Sequence, residues 1–121
     1  MTHFSANINR IALLRNSRDN GRPDLLRAAA VILNAGAAGI TIHPRPDQRH
    51  IRLNDVGPLA ALVARYPGRE FNIEGNPHHN LLEIVEAELP QQATFVPDGI
   101  DTPTSNRGFA PGEEMQGVQR L

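Results

Sequence analysis

The chain has 121 residues, 40% hydrophobic and 21% charged, with a formal net charge of −1 and no cysteine. That length suits one domain and is small beside the ~250 residues of a complete α/β barrel. The near-neutral balance gives no general attraction to nucleic acid or anionic lipid, and the lack of cysteine excludes disulfides and thiolate chemistry.

The start, Met1 to Asn7, lacks the basic opening and apolar core of a secretory signal. No apolar run nears the ~20 residues that span a bilayer, so a cytoplasmic protein is expected. Phe4 to Ile8 reads as a first strand whose polar exit, Asn7, Asn9 and Arg10, faces a site. Ile11 to Arg18 follows without a definite assignment, then a turn at Asp19-Asn20-Gly21-Arg22-Pro23. Pro23 and Asp24 suit the first turn of a helix. Leu25, Leu26, Ala29, Ile32 and Leu33 keep helical spacing until Gly36 stops it.

A second strand is predicted over Gly39 to His43. Asn54 and Asp55 look like the cap of a second helix with Leu59, Leu62 and Val63 on its buried face, ended by Tyr66-Pro67-Gly68. Glu70 to Glu74 is the third strand and Asn80 to Leu89 a third helix, and Ala93 to Val96 is the fourth strand. Strand and helix alternate with short connections, which implies a parallel sheet with right-handed crossovers. The β/α units fill 1–96 of a single domain. The remaining 97–121, with three prolines and four glycines, reads as a loop-rich tail with at most a short terminal helix.

Polar residues gather at the exits of all four predicted strands, the edge where parallel sheets hold their sites. They are Asn7, Asn9 and Arg10, then His43 and Arg45, then Glu74, then Asp98 with the Thr102–Ser105 loop. His43 ends an apolar strand beside Arg45 and His50, a set able to move protons and hold an anion. Its plainer alternative is a strand-end imidazole bonded to backbone. Glu74 is a candidate general base, because a carboxylate at a buried strand end has a raised pKa unless it is paired. A simple salt bridge is the rival reading. Arg49 and Arg52 read as a solvated loop face, with Arg45 alone turned inward. His78-His79 beside Glu74 raises a metal site, but adjacent histidines diverge and no His-x-x-x-His helix motif is present. Arg10, Arg15, Arg18, Arg22 and Arg27 raise nucleic acid, without the aromatic residues that stack on bases.

Three segments, Asn7 to Arg18, Gly39 to Ile51 and Phe71 to Glu74, together resemble the pyridoxine 5'-phosphate synthase family in order and spacing. The resemblance extends to about Gly108. It implies a (β/α)8 TIM barrel, this chain covering the first four β/α units as a half barrel. It further implies condensation of 3-amino-2-oxopropyl phosphate with 1-deoxy-D-xylulose 5-phosphate, without metal or organic cofactor, in a symmetric octamer. On that resemblance Asn7 and Arg18 would bind the aminoketone phosphate. Asn9, Arg10, Arg45, His50 and Thr104 would contact the deoxyxylulose phosphate, and His43 and Glu74 would be the acid/base pair.

Two departures stand out. The family's usual Asp-His is replaced by Asn9-Arg10, which keeps hydrogen-bonding shape but removes a charge and a proton carrier. The family's later strands, with a third catalytic histidine and a glycine-rich phosphate cradle, have no counterpart here. A half barrel is expected to expose strand edges and an apolar inner face. The alternative reading is a non-catalytic half barrel that self-associates or binds a phosphorylated ligand.

Overall fold

A computed structural model describes residues 1–121. The elements run β1 (Ser5–Asn7), α1 (Asn9–Asn16), α2 (Leu25–Asn34), β2 (Gly39–Ile42), α3 (Leu53–Ala64), β3 (Glu70–Gly75), α4 (Leu81–Glu88), β4 (Gln92–Phe95) and α5 (Glu113–Gln119). The four strands form one parallel sheet in the order β1-β2-β3-β4. Each crossover carries helix, as parallel pairing requires. All four expected strands are present with ends within a residue of their predicted places, except that β1 is trimmed to three residues. The unassigned Ile11–Arg18 segment belongs, through Asn16, to a helix of its own, α1.

Two helix starts differ from expectation. Pro23 and Asp24 precede α2; Asp24 is its N-cap, its carboxylate accepting the Arg27 N–H at 2.9 Å. Helix α3 begins at Leu53, before Asn54, with Arg52 at the N-cap. Asp55 still does capping work one turn in, accepting the Arg52 N–H at 2.8 Å.

Side chains alternate across a strand, and here the two faces divide sharply. Ala6, Ile8, Ile40, Ile42, Phe71 and Ile73 point to the helices and join Leu33, Leu59, Val63 and Leu81 in one core. Each fully buried Ile or Leu contributes roughly 1.5–3 kcal/mol. The other face carries Ser5, Asn7, Thr41, His43, Asn72, Glu74 and Thr94. The expectation of an apolar inner face is therefore corrected: the face left open is polar. Its side chains bond across the strands, Ser5 Oγ with Thr41 Oγ1 at 2.8 Å, Asn72 Nδ2 donating to Thr41 Oγ1 at 3.3 Å, and Thr94 Oγ1 donating to Asn72 Oδ1 at 3.0 Å. Helices cover only one side of this sheet, so the alternation that feeds the core with isoleucine feeds the lumen side with hydroxyls and amides.

Candidate active site

The strand exits converge on a cavity of about 550 Å³, within the range of small-ligand sites. At the β1 exit, Asn7 Oδ1 accepts the Asn9 N–H at 2.9 Å, and Asn9 Oδ1 in turn accepts the His43 N–H at 2.9 Å. The amide of Asn9 thus bridges the ends of β1 and β2. Because α1 starts directly after β1, Asn9, Arg10 and Leu13 reach the cavity from its first turns, so Asn9 and Arg10 are helical rather than part of the strand exit.

Beyond β2 the chain folds tightly, with the Arg45 N–H bonded to the His43 carbonyl and the Gln48 N–H to the Arg45 carbonyl. Helix α1 holds this loop from outside: Asn16 Nδ2 donates to the His50 carbonyl at 2.7 Å, and Arg15 forms a two-pronged pair with Asp55 at 2.7 and 2.9 Å. His50 Nδ1 accepts the Ile51 N–H at 2.9 Å, which leaves Nε2 as the proton-bearing nitrogen of the neutral ring.

Of the residues singled out from sequence, Asn7, Asn9, Arg10, His43, Arg45, His50, Glu74 and Thr104 line this one cavity. Arg18 does not; it is exposed just beyond the end of α1. Arg49 corrects the expectation that only Arg45 turns inward, because it too lines the cavity. Its guanidinium donates to the carbonyls of Ile100, Thr102 and Pro103 at 3.1, 3.0 and 2.9 Å while pairing with Asp47. Leu13, Pro103 and Ser105 complete the wall. Pro103 and Ser105 belong to the Thr102–Ser105 loop expected at the fourth strand exit, whereas Leu13 is one of four consecutive apolar residues and carries no site signal.

Burial sets the proton chemistry. His43 is 5% exposed, and desolvation, followed by the Arg45 charge, lowers its pKa to about 4. Desolvation and the same arginine lower His50 to about 4 as well. Both rings are neutral at pH 7; His43, whose ring makes no hydrogen bond, is free to accept a proton, whereas the Nδ1 of His50 is occupied by the Ile51 N–H. Burial and the neighbouring Asp98 raise the pKa of Glu74, whose carboxylate forms no ion pair, against the salt-bridge reading. The imidazole of His43 likewise makes no hydrogen bond, against the backbone-bonded alternative; its ring centroid lies 6.3 Å from that of His50. Two unengaged acid/base groups thus face a cavity walled by Arg10, Arg45 and Arg49. That arrangement can hold an anion and move protons on it. No group of three or more His, Cys, Asp or Glu side chains is placed to hold a metal ion.

Comparison with known proteins identifies the chain's relatives. A family model described as "Pyridoxal phosphate biosynthesis protein PdxJ" matches residues 4–121. A pyridoxine 5'-phosphate synthase of Albidiferax ferrireducens is 53% identical over 118 residues, covering 93% of this chain and 47% of that protein. One of Xylella fastidiosa is 50% identical over 127 residues, covering 99% and 48%. One of Xanthomonas campestris is 54% identical over 114 residues, covering 88% and 44%. The chain spans about half the length of the curated relatives it matches, and its four parallel β/α units are the corresponding half of a (β/α)8 barrel. By the extent of that match, this chain belongs to the PdxJ family of pyridoxal phosphate biosynthesis proteins.

Proposed function

We propose that residues 1–121 supply the N-terminal half of a pyridoxine 5'-phosphate synthase site. The reaction is the condensation of 3-amino-2-oxopropyl phosphate with 1-deoxy-D-xylulose 5-phosphate to pyridoxine 5'-phosphate, a transferase-class step in the cytoplasm. The full-length assembly is an octamer, and the chemistry uses no metal or organic cofactor.

One observation carries the reading. His43 and Glu74, neither of them engaged by another side chain, share a cavity with three arginines. Imine formation, dehydration, phosphate elimination and ring closure each need a proton moved while a phosphorylated chain is held still. The neutral His43 ring serves as base, and Glu74, with its raised pKa, exchanges protons from the next strand. Arg45, Arg10, His50 and Thr104 hold the deoxyxylulose phosphate with the Asn9 amide. Asn7 contacts the aminoketone phosphate. Arg18, outside this cavity, acts on that substrate from the far end of α1. Arg10 and Asn9 bind but do not relay protons, since a guanidinium stays charged and an amide does not titrate.

The test is pyridoxine 5'-phosphate formation by this chain, alone and mixed with the C-terminal half of the Albidiferax ferrireducens relative. Turnover is expected in the mixture, with Glu74→Gln lowering kcat by roughly 10²–10⁴-fold, the scale of a lost acid/base group. Phosphate-ester binding without turnover in a correctly folded mixture would refute the enzymatic reading in favour of a binding half barrel.

A further inference from the structure

We infer that Asp98 is the positioning residue of this cavity, holding the Arg45 guanidinium and the 102–105 loop in the arrangement that receives a phosphoryl group. The inference rests on the reading of the site as a phosphate-ester pocket and adds a residue to it. Asp98 sits just past β4, and its side chain and that of Arg45 are only 4% and 5% exposed. Arg45 Nη2 meets Asp98 Oδ2 at 3.2 Å, and the Ser105 hydroxyl donates to the same oxygen. The Asp98 carbonyl accepts Asn76 Nδ2 at 3.0 Å, from the turn after β3. One residue therefore ties together the exits of β2, β3 and β4.

Its effect falls on Thr104, which stands between two anchored neighbours. Pro103 is held through its carbonyl by Arg45 Nη1 at 3.3 Å and by Arg49 Nη1 at 2.9 Å, and Ser105 is held by the Asp98 carboxylate. A buried ion pair is weak support for stability, because desolvation offsets most of the attraction. A fixed guanidinium fork is instead what two-pronged phosphate recognition needs. Asp98 is itself an anion and cannot receive the phosphate, so its part is to orient the groups that do.

This makes a prediction opposite in sign to simple charge. Asp98→Asn removes a negative charge beside an arginine-walled cavity, and electrostatics alone would tighten anion binding. Positioning demands the reverse. The chain, Asp98→Asn and Asp98→Glu are titrated with inorganic phosphate by calorimetry at pH 7, and the Arg45 Nε–H resonance is followed by NMR. Phosphate binding is expected to weaken roughly tenfold in Asp98→Asn, the equivalent of about 1.4 kcal/mol, with loss of the protected Arg45 signal. Asp98→Glu should recover most of both.

Equal or tighter binding by Asp98→Asn, with a native fold, overturns the inference. Should Asp98→Asn not fold, Ser105→Ala decides: it keeps the ion pair and is expected to weaken phosphate while Arg45 stays protected, and unchanged affinity overturns the inference. Should the unaltered chain bind no phosphate, the anion-pocket reading falls. The Arg45 signal then judges Asp98 alone, and its persistence in Asp98→Asn overturns the positioning role.

Discussion

Protonating His43 inside the folded chain should cost stability in a defined pH window. Its pKa falls from 6.5 to about 4 on folding because burial, then Arg45, penalises the charged ring. A lowered folded pKa means the unfolded chain binds the proton first. The contribution is therefore complete above pH 6.5 and is lost as pH falls toward about 4. At about 1.4 kcal/mol per pH unit, the full gap amounts to about 3 kcal/mol. That is a large part of the ~5–15 kcal/mol that holds a domain of ordinary stability together. Glu74 works the other way, its raised pKa adding stability as pH falls below its folded value. His50, also lowered to about 4, adds to the loss, so the net slope of the native chain is not the His43 part alone. Urea titrations at several pH values between 7 and 4.5, on the native chain and on His43→Gln, separate the two. The variant's cavity and packing costs are the same at every pH and drop out of the difference in slope. Parallel stability–pH curves for the two proteins would refute the assignment of a buried, charge-repelled imidazole.

Three further perturbations follow from packing and loops. A Cβ on Gly39 would run into the Glu70 carbonyl oxygen, so Gly39→Ala must push β2 and β3 apart and should lower stability by about 3 kcal/mol. Gly36→Ala is its control, with open space and only a left-handed φ of +107°, and should cost about 1 kcal/mol; equal losses in urea melts would contradict the clash. Asp55→Ala strands the Arg15 guanidinium, whose side chain is 11% exposed, and should cost about 2 kcal/mol in thermal or chemical unfolding. Arg49→Met removes the guanidinium that grips the Ile100, Thr102 and Pro103 carbonyls. Amide exchange across 100–104 should then quicken by roughly tenfold or more while global stability changes by less than about 1 kcal/mol; unaltered exchange would mean the loop is held otherwise.

The strands are legible where a short β-branched or aromatic run is ended by turn residues, Gly39 to Ile42 most plainly, whereas β1, Ser5–Asn7, has no such residue and is marked only by its flanking Phe4 and Ile8. Helix α1 is not legible, since Ile11, Ala12, Leu13 and Leu14 are consecutive and apolar, and only Ala12 is buried. Such a run has no face to read, and the helix is fixed by Arg15 and Asn16 gripping the β2 loop. The polar lumen side was written in the sequence as every second strand residue, Thr41 and His43 or Asn72 and Glu74. The expected apolar inner face follows from a general picture of half-open barrels, and the local alternation prevails over it. His43, Arg45 and Glu74 were findable from strand ends. Arg49 was not, because its partners lie more than fifty residues away in a loop with no periodicity.

The row of side chains from Ser5 through Thr41 and Asn72 to Thr94 acts as a check on strand alignment. A slip of one residue turns a strand's core side chains to the wrong face and is rejected by the hydrophobic pattern. A slip of two keeps every face correct, and apolar packing distinguishes it poorly. The row does distinguish it, because Ser5 sits beside Gly39 yet bonds Thr41, and Asn72 sits beside Gln92 yet bonds Thr94. Sliding either outer strand by two residues away from its partner puts the two side chains four residues apart along the register and breaks the bond. The row also advances two residues along the register at the first and third junctions and none at the second. That slant is on the order of one residue per strand, the stagger that eight strands need to close with a shear of about eight. Four strands thus already carry the pitch of a closed ring, marked by the one hydroxyl–hydroxyl and two hydroxyl–amide bonds of the row.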